Sequence, residues 1–316
     1  MPAYVGVTDS PAGDDLSIER EVLAGVQVEN VVWANAADLQ RELAQCDAVL
    51  CMHAPLNRAV IGSLARCRAI VRYGTGLDNI DLSAAASAQI PVAGVRDYCT
   101  EEVANHTISL LLAWNRRLSE YGEMVRSGMW NEKHNTTGNW GYRLERLSSF
   151  TLGLFGFGHI GRAVAARARA LGMKVLAHSP SLISGTSSPE HVQPVDRAEL
   201  LARSDFLSLH LPLTDQTAGI INRETLASMK HGSVLINTAR GGLVDEQALV
   251  EALQTGKLGG ALLDVYRCAP LPLDHPLRQC RNVICTPHVA FYSEGALREL
   301  RRRAAEQVRR YLRPGE

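Results

Sequence analysis

Apolar positions along this chain fall into short runs, separated by stretches of helix formers whose apolar residues recur at helical spacing. YVGVT (4–8), DAVLCM (47–52), AIVRY (69–73) and PVAGV (91–95) read as buried parallel strands. Between them AADLQRELAQ (36–45) and DLSAAASAQ (81–89) read as helices, the second with Asp81 as its N-cap. Such βα alternation predicts a parallel sheet with helices on its faces. The pattern changes at TEEVANHTISLLLAWNRRLSEYGEMVRSG (100–128), which reads as one long helix over most of its length, capped by Thr100. A polar stretch rich in Asn, Gly and Trp (130–142) follows. A second βα series then runs through TLGLFG (151–156), KVLAHS (174–179), DFLSLH (205–210), SVLINTA (233–239), GALLDV (260–265) and NVICTP (282–287). A last amphipathic helix covers 293–312.

The length of 316 residues suits about two domains of roughly 150 residues each. The long helix and the segment near 288–292 read as the two crossings between them. The first domain is then discontinuous, 1–100 plus 293–316, and the second is 101–292. The fold class expected is α/β, with two doubly wound parallel-sheet domains enclosing a cleft.

Lysine plus arginine number 33, as do aspartate plus glutamate, so no net charge marks the chain for nucleic acid or an anionic membrane. The locally basic RELRRRAAEQVRRYLR reads as a solvated helix face interrupted by glutamates. The seven cysteines form no CxxC pair and are odd in number, which suits reduced thiols and a cytoplasmic location. MPAYVGVTDS has neither the basic start nor the apolar core of a signal peptide, and no apolar run approaches a membrane span. No cluster of His, Cys, Asp and Glu has metal-ligand spacing, so no metal is expected.

The sharpest motif is Gly156-x-Gly158-x-x-Gly161, after a strand and opening a helix. In that context Gly156 permits the turn, Gly158 lets a pyrophosphate approach the backbone, and Gly161 lets helix and strand pack closely. The helix N-terminus adds donors and partial positive charge for phosphates. This makes 101–292 a Rossmann dinucleotide-binding domain, with His159 and Ile160 joining Gly156 and Gly158 in the cofactor set. The next strand ends at Ser179, where an acid would hold the adenosine ribose. Serine does not repel a 2′-phosphate, and Pro180 stands where an arginine would argue for NADP. NAD and NADP both stay open, with NAD favoured.

Together with this loop, VRYGTGLDNIDLSAA (71–85), LINTARGGLVDEQALVEAL (235–253) and NVICTPHVAFYSEGA (282–296) resemble the D-isomer-specific 2-hydroxyacid dehydrogenase family. LHLPLTDQTAGIIN (209–222) and GVRDYCTEEVANHT (94–107) match as well. CTPHVAFYSE and GGLVDEQAL are closest to its C-terminal-binding-protein branch, whose members are dinucleotide-sensing corepressors. The resemblance implies an NAD(P)-dependent oxidoreductase acting on a 2-keto or 2-hydroxy carboxylate, a smaller flavodoxin-like substrate domain and a homodimer. It implies that Arg240 holds the substrate carboxylate and carbonyl, as a planar guanidinium suits. It implies that His288 gives the proton to the carbonyl oxygen, and that Tyr73, Gly74, Thr75 and Gly76 offer backbone N–H groups to the carboxylate. Thr238 joins the cofactor set, and so does Asp264, beside the nicotinamide or capping its strand end; the sequence leaves both roles open.

Several positions depart from the family. It has a glutamate before the proline of the loop after Asp264; here that residue is Ala269. The glutamate pairs with the histidine, orients it and raises its pKa, and alanine can do neither. Gly94, Arg96 and Asn105 stand where Asn, Pro and Glu are usual. Arg96 and Tyr98 either reach the cleft or lie on the surface, and Glu294 reads as a helix N-terminal residue. His106, His178 and His210 read as structural or cofactor-lining. Altered proton handling is the first expectation. The alternatives are the same fold and cofactor with a changed reaction, or a dinucleotide-sensing binding protein.

Overall fold

The computed structural model describes residues 2–130, 144–183 and 191–312, so most of the polar stretch at 130–142 lies outside the described residues. Twelve strands among the described residues form two all-parallel sheets. The first holds β1 (Tyr4–Val7), β2 (Gln27–Asn30), β3 (Ala48–Cys51), β4 (Ile70–Arg72) and β5 (Val92–Gly94), in the order β2-β1-β3-β4-β5. The second holds β6 (Thr151–Phe155), β7 (Lys174–His178), β8 (Gln193–Pro194), β9 (Phe206–Leu209), β10 (Ser233–Asn237), β11 (Leu258–Leu263) and β12 (Val283–Cys285). Its order is β12-β11-β10-β9-β6-β7-β8. Both are doubly wound: the order reverses between β1 and β3 in the flavodoxin manner, and between β6 and β9 in the Rossmann manner.

The chain divides into two compact units, one of Met1–Cys99 with Tyr292–Glu316 and the other of Thr100–Phe291. Each sheet is buried on both faces, which is why its central strands are continuous apolar runs such as Ala48–Cys51 and Ser233–Asn237. β2 and β8 were not expected. They are edge strands, QVEN and QP, mostly exposed, and carry no apolar run for a pattern reading to find. The long helix expected over 100–128 is two helices, Thr100–Arg116 and Leu118–Arg126. Arg117 between them takes a left-handed conformation, φ 52°. Its guanidinium lies 4.1 Å from the Trp114 ring centroid and bonds Glu120 at 3.0 Å, contacts that offset the strain of a non-glycine residue there. Thr100 is the first helical residue, not the cap.

The final helix, Glu294–Leu312, belongs to the first unit. Leu300, Ala304, Ala305, Val308 and Leu312 recur at helical spacing and pack against Val5, Val7, Leu50 and Val71. Within that stripe sits a charge. Arg301, 5% exposed, donates through Nε to Glu19 Oε1 at 2.9 Å and through Nη2 to Glu19 Oε2 at 2.7 Å. Glu19 is fully buried and also accepts from the Tyr73 hydroxyl at 2.9 Å. Burial beside Glu19 pushes the Tyr73 hydroxyl well above its ordinary pKa, and the Glu19 bond holds Arg301 above its own. The pair thus ties the last helix to the first.

Arg301→Met removes one partner and leaves Glu19 charged in a dry site. It should cost about 3 kcal/mol in urea unfolding, whereas Arg301→Met with Glu19→Leu should recover most of that loss. A loss near zero for the single variant would show that the apolar stripe alone docks the helix.

Candidate active site

In open α/β sheets ligands sit beyond the carboxyl ends of the strands, at the point where the order reverses. In the second unit that point follows β6, and the glycine loop occupies it. Gly156 has φ 102°, and a Cβ there would lie 2.3 Å from the His210 carbonyl oxygen. A Cβ on Gly161 would lie 2.6 Å from the Gly156 oxygen. Gly158 differs: a Cβ there meets nothing within 4 Å, so its hydrogen faces an open cradle. It caps the helix His159–Ala170, whose first backbone bond runs from Arg162 N to Gly158 O, leaving the first-turn amides outside the helical ladder. The cradle fits a pyrophosphate. Ile160 turns its side chain to the core beneath, so its share in any cofactor contact is its backbone. Ser179 follows β7, and its carbonyl accepts from Leu182 N at 3.0 Å.

Arg240 follows β10. Asn237, 1% exposed, closes the turn: its Nδ2 donates to Arg240 O at 2.9 Å and its Oδ1 accepts from Ala239 N at 3.1 Å. Arg240 is half-buried, with Nη1 donating to Ala239 O at 2.7 Å. Thr238 is 7% exposed, and its hydroxyl meets that of Thr107 at 2.9 Å. The hydroxyl of Thr238 is thereby tied to the helix Thr100–Arg116.

His288 follows β12 in a left-handed conformation, φ 56°, exposed, with its ring edge-on to Phe291 at 5.9 Å. The loop is held by Asp264 at the end of β11. That carboxylate, fully buried, accepts from Thr286 Oγ1 at 2.6 Å, Val289 N at 3.0 Å and Ala290 N at 2.9 Å. The Tyr266 hydroxyl donates to Thr286 O at 2.9 Å. Of the two roles open to Asp264, these bonds describe bracing of the strand ends. Nothing in the sequence marked Thr286 or Asn237 beyond their presence in quoted motifs.

In the first unit the loop after β4 is fixed from two sides. Gly74 O accepts from Val95 N at 2.9 Å, and Gly76 O accepts from Arg72 Nη1 at 2.9 Å. Because C=O and N–H of one peptide point in opposite directions, the N–H of Thr75 points away from Val95. Tyr73 is a correction to the substrate set. It is 1% exposed, its N–H bonds Cys51 O at 2.8 Å within the sheet, and its hydroxyl bonds Glu19. Tyr98 packs on the first unit's core, while Arg96 is exposed. Asn105 accepts from Arg167 Nε at 2.7 Å.

Ala269 is exposed. Two residues near it in sequence are held by Glu246, which accepts from Arg267 N at 2.7 Å and pairs with His275 Nε2 at 3.3 Å, so this carboxylate braces the loop. Glu294 accepts from the Tyr292 hydroxyl at 2.7 Å. His210 bonds Ser208 Oγ at 2.9 Å, and burial pushes its pKa down to about 4, which keeps it neutral under the glycine loop. His178 Nδ1 lies 3.1 Å from Val195 O. Among the described residues no three His, Cys, Asp or Glu are arranged to hold a metal ion, and no helix is long and apolar enough to cross a membrane. The seven cysteines are free thiols, of which burial pushes Cys46 and Cys51 up to about 12.

Residues 108–290 match the family described as "D-isomer specific 2-hydroxyacid dehydrogenase, NAD binding domain". The chain belongs to the D-isomer-specific 2-hydroxyacid dehydrogenase family. This dehydrogenase-family chain is 36% identical over 309 residues to the D-3-phosphoglycerate dehydrogenase of Methanocaldococcus jannaschii, covering 97% of this chain and 57% of that protein. It spans about half the length of the curated relatives it matches, 57% and 49%. Among solved structures it is similar to the D-lactate dehydrogenase of Aquifex aeolicus complexed with NAD and lactic acid. That match has a TM-score of 0.84 and 29% identity, over 98% of this chain and 95% of the other. It is also similar to an acyclic imino acid reductase in complex with NADPH and D-arginine, with a TM-score of 0.87 and 29% identity over 98% and 97% of the two chains.

The cradle at Gly158 gives a direct test. Gly158→Val fills open space, so the fold should keep its stability while the Kd for NADH rises by about tenfold or more, about 1.4 kcal/mol. Gly156→Ala should instead destabilise the fold, because its Cβ meets backbone. Calorimetric binding and thermal unfolding separate the two; unimpaired NADH binding by Gly158→Val would remove the loop from the cofactor site.

Proposed function

We propose that this chain is an NAD(P)-dependent oxidoreductase that interconverts a 2-keto and a 2-hydroxy carboxylate. The observation that carries this reading is the line of residues on one sheet edge. Ser179, the glycine loop, Arg240, Asp264 and His288 follow β7, β6, β10, β11 and β12 of the same parallel sheet. β10 lies two strand spacings from β6, roughly 10 Å. A dinucleotide with its pyrophosphate on the glycine loop and its adenosine toward Ser179 would direct its other half toward Arg240 and His288. When bound, the nicotinamide supplies or takes up the hydride. Arg240 holds the carboxylate and carbonyl oxygen in its planar fork. His288 gives a proton to the carbonyl oxygen during reduction and takes one from the hydroxyl during oxidation. Ser179 leaves NAD and NADP both open, Pro180 in place of an arginine favours NAD, and both kinds of complex occur among the similar structures. Seven free thiols suit a reducing, cytoplasmic compartment.

Ala269 changes the proton step. A methyl group neither accepts a hydrogen bond nor carries charge, so the imidazolium at His288 gains nothing from this position. The same residue favours the second reading, a retained fold and cofactor with a different reaction. A homodimer fits the helix Leu118–Arg126, which with the residues after it exposes Leu118 (59%), Val125 (58%), Met129 (54%) and Trp130 (51%). Exposed apolar groups in such a stripe mark an association surface.

Light scattering at micromolar concentration should give twice the chain mass, and Val125→Glu should shift it toward monomer; a monomeric wild type overturns the dimer. The function is tested by single-turnover reduction of a panel of 2-oxo acids with NADH. Reduction should accelerate as the pH falls from about 8 to about 6. Ala269→Glu should move that profile upward by about one pH unit and speed reduction several-fold at neutral pH. An unchanged profile in a variant that still binds NADH would mean that His288 is not the proton donor, and the second reading would replace the first.

A further inference from the structure

The helix Thr100–Arg116 touches both loops that carry the proposed chemistry, through two adjacent residues. Thr107, fully buried, donates its hydroxyl proton to Val103 O at 2.8 Å. Its oxygen therefore accepts the proton of Thr238, which stands two residues before Arg240. His106 Nε2 lies 3.0 Å from Thr286 Oγ1, two residues before His288. The single hydroxyl proton of Thr286 goes to Asp264, so Thr286 accepts from His106, which holds its proton on Nε2. His106 Nε2 also lies 3.6 Å from Asp264 Oδ1.

We propose that His106 and Thr107 are positioning residues that set the His288 loop and the Arg240 loop relative to one another. The proposal rests on the 2-hydroxyacid reading of the site. β10 and β12 flank β11, so the two loops stand about two strand spacings apart, roughly 10 Å, with no direct ladder between them. Neighbouring helical side chains diverge by about 100° and can reach both loops from one rigid backbone. The two bond chains are separate: His106 to Thr286 to Asp264 on one side, Thr238 to Thr107 to Val103 on the other. Each loop keeps further anchors, Val289 and Ala290 on Asp264 and the Asn237 turn, so cutting either chain leaves a folded protein with a misplaced loop.

The two residues should therefore fail differently. Thr107→Val should raise KM for the 2-oxo acid, and the Kd of oxalate as an unreactive carboxylate probe, by about tenfold, with Thr107→Ser restoring both. His106→Leu should slow single-turnover reduction by about tenfold and shift its pH profile with KM little changed. His106→Gln, whose amide can still donate to Thr286, should restore rate and profile. NADH affinity should stay within twofold in all four. Histidine ¹⁵N NMR gives a readout apart from activity: His106 protonated on Nε2, and His288 resonances displaced in His106→Leu but not in His106→Gln. If wild-type protein reduces no 2-oxo acid, the function reading falls while the NMR test of the coupling stands. Unmoved His288 resonances in His106→Leu, or an oxalate Kd within twofold in Thr107→Val, overturn the proposal.

Discussion

The edge that carries Arg240 and His288 depends on one buried carboxylate. Asp264 is wholly removed from solvent, and a charge there must be met by donors. All three donors at hydrogen-bond distance, the Thr286 hydroxyl and the amides of Val289 and Ala290, come from the segment around His288. The demand of the charge thus dictates the path of the loop, including the left-handed residue at its centre. A non-glycine residue in that region costs of order 1–3 kcal/mol, and hydrogen bonds to an ion contribute about 1.5–3 kcal/mol each. Three such bonds outweigh the strain. The histidine stands in an unfavourable conformation because its neighbours are bound to Asp264.

A second buried carboxylate plays the same part in the first unit. Glu19 collects Arg301 from the last helix and Tyr73 from the end of β4. The loop of residues 74–76 begins at that tyrosine and is tied on its far side by Arg72 and Val95. A segment from the end of the chain is thereby made part of the support for a loop formed much earlier in it. In both units charge burial, rather than apolar packing alone, fixes the backbone of a loop that follows a strand.

This division explains what could be read in the sequence. Central strands are legible because burial on both faces demands unbroken apolar runs. The glycine loop is legible because its chemistry is local: three glycines, a strand before and a helix after. The edge strands β2 and β8 are not, since a short exposed strand needs no apolar pattern. The break at Arg117 is hidden inside a helical periodicity that continues on both sides, and its cause is one ring and one carboxylate. Tyr73 ends an apolar run and adjoins Gly74, and only the fold reveals Glu19 beneath it, 54 positions earlier in the chain. Thr107, Thr286 and Asn237 were silent for the same reason. Their role is a hydrogen bond to a distant segment, and a lone hydroxyl or amide in a sequence carries no sign of its partner.

The loop around Ala269 shows how the same logic limits compensation. A protein lacking one carboxylate could recruit another, and Glu246 is the acid bonded to that loop. Both of its oxygens are already engaged, one by the Arg267 amide and one by the His275 ring. Turning it toward another partner would leave the Arg267 amide without this acceptor and loosen the loop that positions residue 269. Asp264 is bound more firmly still, since moving it would release the His288 loop itself. The acids in this part of the sheet edge are fixed by the fold's own donors. Neither Glu246 nor Asp264 can therefore stand in for a carboxylate at position 269 while its own bonds hold.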